Sequence, residues 1–190
     1  DTGASAIFRA SRLLTKLEAF SKRRLRELTD PKFVPPFTSL SVGLISGGKA
    51  KNVIPGSCRF TFEWRPLPSQ PTELVLQALH RCIDECITED HEFTATVKVL
   101  RQDRGFDTDA SADVVQFLAA QSGRVPDAVA FGTEGPQLTA LGAVPVVFGP
   151  GDITVAHQTG EHLPKHEFFA AADMLDRTPY IEAVFPGGVP

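Results

Sequence analysis

A chain of 190 residues holds one large domain or two small ones, and 42% hydrophobic with 22% charged side chains is the make-up of a soluble globular protein able to bury a core. A net charge of −4 gives no electrostatic footprint for nucleic acid, although the first predicted helix is locally basic. No apolar run approaches the roughly 18 residues of a membrane span, and no charged-then-apolar signal segment opens the sequence, so neither a nucleic acid nor a membrane is an expected partner.

From Ala4 to Leu28, apolar residues recur at Ile7, Ala10, Leu14, Leu17, Phe20, Leu25 and Leu28, with Arg9, Arg12, Lys16, Lys22 and Arg23 on the other side. This spacing predicts an amphipathic helix. The sequence enters it with no preceding strand, so the natural fold is expected to begin before residue 1. Pro31, Pro35 and Pro36 then end the helix and set up an extended segment. Leu40, Val42 and Leu44 alternate with Ser39, Ser41 and Gly43, which predicts a half-buried strand broken at Gly47-Gly48. A second alternation puts Cys58, Phe60, Phe62 and Trp64 on one face and Arg59, Thr61, Glu63 and Arg65 on the other, giving an antiparallel pair with one dry face.

Pro71 sits where a helix begins, and Leu74, Val75, Ala78, Leu79, Cys82, Ile83, Cys86 and Ile87 follow at helical spacing. Phe93, Ala95, Val97 and Val99 supply another strand. The order helix, strand, strand, helix, strand predicts a small α+β sandwich over about residues 4–101, with both helices on one sheet face. The three cysteines, Cys58, Cys82 and Cys86, lack zinc-finger spacing and read as reduced core residues of a cytoplasmic protein.

The polar stretch Arg101 to Asp109 reads as a crossing between domains. After it come a helix around Ser111–Gln121, a short apolar strand Ala128–Phe131, a short helix, a strand Val144–Phe148, and a final helix from about His166 to Phe185 interrupted at Pro179. Alternating helices and strands predict a parallel α/β layer, and two buried strands leave that layer incomplete.

Three constellations carry chemistry. The strand Val144–Phe148 stops at Gly149-Pro150-Gly151, and the following polar loop presents His157 beyond the strand's carboxyl end, where open α/β sheets keep their chemistry. A loop histidine is either a solvated, hydrogen-bonding residue or a metal ligand, and a metal site needs two or three more donors than Glu161 and His162 supply. Gly132-Thr133-Glu134-Gly135 offers backbone N–H groups, a hydroxyl and a carboxylate to the same crevice, or serves as a turn with a helix cap. Gly47 to Gly56, taken with Arg65, fails as a phosphate loop because no helix follows and the Gly-Lys-Ser/Thr order is absent, and reads as a long hairpin connection with an apolar end. A weaker cluster, Glu89-Asp90-His91-Glu92, reads as a solvated acidic turn.

Val42 to Gly56, Glu63-Trp64-Arg65-Pro66-Leu67-Pro68, Phe131 to Pro136, Phe148 to Gly151 and Ala156 to Glu161 together closely resemble acetylornithine deacetylases, within the wider family of zinc amidohydrolases that includes succinyl-diaminopimelate desuccinylase. The resemblance covers nearly the whole chain. It implies an α+β dimerisation or lid domain over 1–105, built as a four-stranded antiparallel sheet with two helices. Residues 106–190 would be the C-terminal part of an α/β catalytic domain. His157 falls on the position of a zinc ligand, Asn52 and Arg65 on lid positions that reach substrate, and Thr133 and Gly149 on segments lining the substrate cleft. Thr133-Glu134 favours the acetylornithine branch over the desuccinylases, which usually carry Ser-Asp after that threonine.

The family's N-terminal half supplies the other metal-binding histidine, the bridging aspartate and the glutamate that acts as general base, and no such segment is in this sequence. In the His157 loop, Thr159-Gly160 replaces the usual Pro followed by Asn or Asp. The resemblance therefore implies hydrolysis of the amide of a small N-acyl amino acid, with one or two zinc ions or cobalt in their place, by a cytoplasmic homodimer joined through its first domain. The catalytic residues would lie outside this sequence, and this chain alone would be inactive. The alternative is a non-catalytic homodimerisation or ligand-binding module that kept the lid and lost the chemistry.

Overall fold

Amphipathic periodicity needs a partner surface, and here two helices supply it to each other. The structure is a computed structural model that describes residues 3–129 and 131–177. The chain divides into two compact units, Asp1–Asp107 with Ala128–Gly132, and Thr108–Asp127 with Thr133–Pro190.

In the first unit, α1 (Ala6–Phe20) opens at Ser5, whose Oγ accepts the Phe8 N–H at 3.4 Å, and it runs on through a wider π turn, Ser21–Leu25. The second helix, α2 (Leu74–Glu89), lies antiparallel to it, because Arg9 near the start of α1 meets Asp90 past the end of α2 while Lys16 meets Glu85. Leu13 and Leu17 from α1 close on Leu79, Cys82, Ile83 and Cys86 from α2, with Phe93 completing the cluster. Burial pushes the thiols of Cys82 and Cys86 above their ordinary value, so both pack as small apolar groups.

Charge frames this seam. Arg9 donates from Nε and Nη2 to the two oxygens of Asp90, each at 2.8 Å, and Arg12 adds a bond of 2.9 Å to the same carboxylate. One turn further on, Lys16 bridges Glu89 at 2.8 Å and Glu85 at 3.0 Å. The acidic turn Glu89-Asp90-His91-Glu92 is thus part of the helix contact, and the bond from Arg9 holds the Asp90 carboxyl below its usual range.

The strands β1 (Ser39–Gly47) and β2 (Cys58–Arg65) pair antiparallel, with Ser39 opposite Arg65 at one end and Gly47 opposite Cys58 at the other. Leu40, Phe60 and Phe62 rest on the helix cluster. The register shifts between Val42 and Leu44, leaving Gly43 as an unpaired bulge residue. Beyond the bulge the faces exchange: Leu44 pairs with Thr61 on the outer face, and Ile45 pairs with Phe60. The simple alternation of Leu40, Val42 and Leu44 therefore does not survive, and Leu44 is 70% exposed.

A buried polar brace anchors the other end of the hairpin. The Thr38 hydroxyl donates to Gln70 Oε1 at 2.6 Å and accepts the Leu67 N–H at 3.1 Å, while Gln70 Nε2 reaches the Leu28 carbonyl at 3.0 Å. Gly105 returns the chain against the same region: a Cβ there would lie 2.8 Å from both the Pro66 carbonyl oxygen and the Pro68 nitrogen.

The expected four-stranded antiparallel sheet with two helices is overturned. The described residues form one two-stranded sheet and five α-helices. Phe93 to Val99 alternates as a strand does, yet it joins no ladder; burying Phe93 and packing Val97 on the cluster uses the alternation without backbone pairing.

In the second unit, α3 (Asp113–Ser122) ends at Gly123, whose φ of 66° is the left-handed turn that glycine permits. Next come α4 (Gly135–Ala140), a single 3-10 turn Ile153–Val155, and α5 (Lys165–Asp176). The expected parallel α/β layer is not formed by the described residues. Val144–Phe148 joins no ladder, and its Pro145 carbonyl accepts the Thr108 hydroxyl at 2.5 Å. Of the expected strand Ala128–Phe131, Ala130 lies outside the described residues and its neighbours join no ladder. An apolar β-branched run marks a segment fit for burial, but a strand exists only where a neighbour accepts its backbone bonds. Pro179 and Phe185, expected in the last helix, also lie outside the described residues. No described helix is long and apolar enough to cross a membrane.

Two outcomes test this account. Asp90 is lowered in the folded chain, so its stabilisation is complete above its unfolded value, near pH 4, and is lost as pH falls through the folded value. Thermal melts of Asp90→Asn will therefore show a deficit against wild type at neutral pH that shrinks steadily below about pH 4. Thr38→Val strands the Leu67 N–H and one end of Gln70, and urea denaturation should read a loss of about 1–3 kcal/mol.

Candidate functional site

Within the first unit, Asn52 sits on the exposed loop that joins β1 to β2. A Val53 N–H to Ala50 carbonyl bond of 3.2 Å turns this loop, and the Ala6 N–H ties it to α1 through the Pro55 carbonyl at 2.8 Å. An open groove of about 450 Å³ lies here, lined among others by Ile7, Gly48, Lys49, Lys51 and Pro55. Arg65 closes the opposite end of the hairpin, where its guanidinium lies 3.4 Å from Glu63. From Cys58 to Arg65 the strand advances about 23 Å at its usual rise per residue. The structure therefore places Asn52 and Arg65 at opposite ends of one hairpin and does not bring them together.

Thr133, Gly149 and His157 belong to the second unit. The Thr133 hydroxyl accepts the Gly135 N–H at 3.1 Å and so shapes the entry to α4. Gly149 borders open space, for a Cβ built on it meets nothing within 4 Å. Two residues on, Gly151 turns with a φ of 95° and donates its N–H to Glu167 Oε2 at 3.0 Å, which fastens the Gly-Pro-Gly turn to α5.

The sequence puts His157 on a polar loop beyond the carboxyl end of a strand; His157 does stand on an exposed loop, but the Val144–Phe148 segment before it joins no ladder. The loop follows the 3-10 turn, which Asp152 starts by accepting the Thr154 N–H at 2.8 Å. That bond lowers the Asp152 carboxyl below its ordinary range. Among the described residues His157 alone combines a side chain with a positive φ, 60°. Its N–H donates to Glu161 Oε2 at 3.0 Å. Gly160, with a φ of 90°, reverses the chain between them. The i to i+4 spacing of His157 and Glu161 around a glycine is the trace of this clamp in the sequence, and periodicity arguments pass over it.

An exposed imidazole suits a borderline metal as one donor. Among the described residues no group of three or more His, Cys, Asp or Glu side chains converges to hold a metal ion.

The α+β first unit, with its helix pair and hairpin, belongs to a dimerisation class: residues 1–90 match the family model of the peptidase dimerisation domain. Over 177 residues the chain is 55% identical to an acetylornithine deacetylase of Myxococcus xanthus, covering 93% of this chain and 47% of that protein. An acetylornithine deacetylase of Aliivibrio fischeri (strain MJ11) is 27% identical over 165 residues, covering 85% of this chain and 42% of that protein. One of Klebsiella pneumoniae (strain 342) is 31% identical over 135 residues, covering 69% and 34%. The chain belongs to the acetylornithine deacetylase and succinyl-diaminopimelate desuccinylase family and carries its dimerisation domain. It spans less than half the length of the curated relatives it matches.

The left-handed backbone at His157 gives a direct test of the loop. His157→Val places a β-branched side chain at positive φ and should be less stable than His157→Gly by about 1–2 kcal/mol in urea denaturation.

Proposed function

We propose that this chain is the C-terminal portion of a metal-dependent N-acyl-amino-acid deacylase of the acetylornithine type. The observation that carries the reading is the 55% identity to the Myxococcus protein over 93% of the chain. Residues 1–105 serve as the dimerisation and lid domain and residues 106–190 as the end of the catalytic domain, in a cytoplasmic homodimer. Residues 1–90, matching a dimerisation domain, support the pairing of two copies.

In this reading His157 donates its imidazole to zinc, or to cobalt in its place. The metal, when bound, supplies an activated water and polarises the acyl carbonyl. Arg65 offers a guanidinium for a substrate carboxylate, and Asn52 offers an amide that donates to an acyl or developing oxyanion oxygen. Because these two stand at opposite ends of the hairpin, they engage separate parts of the substrate pathway. Thr133 and the open face of Gly149 line the cleft, where the absence of a side chain at 149 lets substrate approach the backbone. The general base lies outside this sequence, and the chain alone does not turn over substrate.

Kinetics on the intact source protein test this. His157→Ala should reduce hydrolysis of N-acetylornithine to background, and undiminished turnover in that variant would remove His157 from the site.

A further inference from the structure

We propose that Glu161 is a positioning residue, which holds the backbone of His157 in its left-handed conformation and thereby fixes the direction of the imidazole. This rests on the reading of His157 as a metal donor. Left-handed backbone is costly for a residue with a side chain, by about 1–2 kcal/mol, and it persists only where the surroundings impose it. Burial does not impose it here, since His157 to Glu161 are all exposed.

Hydrogen bonds do. Glu161 Oε2 accepts the His157 N–H at 3.0 Å, and the Glu161 N–H donates back to the Gln158 carbonyl at 3.1 Å, closing a short ring around the left-handed Gly160. Gln158 Nε2 in turn donates to the Thr154 carbonyl at 2.6 Å, which secures the ring to the 3-10 turn. Meanwhile the His157 ring makes no hydrogen bond or ion pair among the described residues. A pinned backbone under an uncommitted ring is the arrangement that presets a donor without occupying it.

The same geometry says what Glu161 does not do. Its oxygen is committed to a backbone N–H, so the role depends on reach and on acceptor character and not on net charge. Gln at this position keeps both. Asp keeps the charge but is one methylene short.

The test uses the intact source protein and four variants, Glu161→Ala, Glu161→Asp, Glu161→Gln and His157→Ala. It reads kcat and KM for N-acetylornithine, zinc affinity by chelator competition, and melting temperature. Glu161→Ala and Glu161→Asp should lose about 10–100-fold in kcat and in zinc affinity, with KM and melting temperature little changed. Glu161→Gln should stay within about threefold of wild type in both. Wild-type kcat and zinc affinity in Glu161→Ala would overturn the positioning role, as would a Glu161→Gln variant as impaired as Glu161→Ala. His157→Ala separates the two readings: if it too is unaffected, the site assignment fails, whereas its loss beside an intact Glu161→Ala removes only the role of Glu161.

Discussion

The contact between α1 and α2 is the constraint on which the first unit depends. Leu17 is fully buried between the helices, and the same cluster receives Phe93 from beyond α2 and Leu40, Phe60 and Phe62 from the hairpin. Each element alone is an amphipathic surface without a partner. The bidentate bond from Arg9 to Asp90 sets the axial register of the two helices at one end, and Lys16 repeats the lock about two turns further along. Directional bonds at the rim select one alignment among the several that a smooth apolar seam would accept.

The hairpin shows how one residue redistributes an entire face. With Gly43 unpaired, the residues beyond it change sides, so Ile45 shares a face with Phe60 while Leu44 turns outward. The strand then carries apolar side chains on both faces near its Gly47 end, with Leu44 and Ile45 70% and 58% exposed.

The second unit is built differently. Of its described residues few are buried, and its loops are fastened by bonds between carboxylates and backbone amides: Asp152 to Thr154 and Glu161 to His157 within a turn, and Glu167 to Gly151 across sixteen residues. Such bonds shape a loop locally and ask little of the surrounding core. Gly149 and His157, the residues proposed to line the cleft and to hold the metal, lie within this stretch.

The sequence by itself determined the helices, because a 3.6-residue period over four turns is a property of the local chain, as are its glycine and proline stops. It also determined the family, since Gly47 to Gly56, Phe131 to Pro136 and Ala156 to Glu161 are contiguous motifs readable without a fold. Only the tertiary structure decided what became of the apolar alternations. Leu40 to Leu44 and Phe60 to Trp64 found each other as strands, while Phe93 to Val99 and Val144 to Phe148 carry equally good patterns and remain unpaired. Pairing is a relation between distant segments, and no single segment encodes whether its neighbour's edge is open. The separation of Asn52 from Arg65 and the left-handed turn at His157 were out of reach for the same reason: one follows from ladder register, the other from a carboxylate that returns across a glycine to meet the backbone.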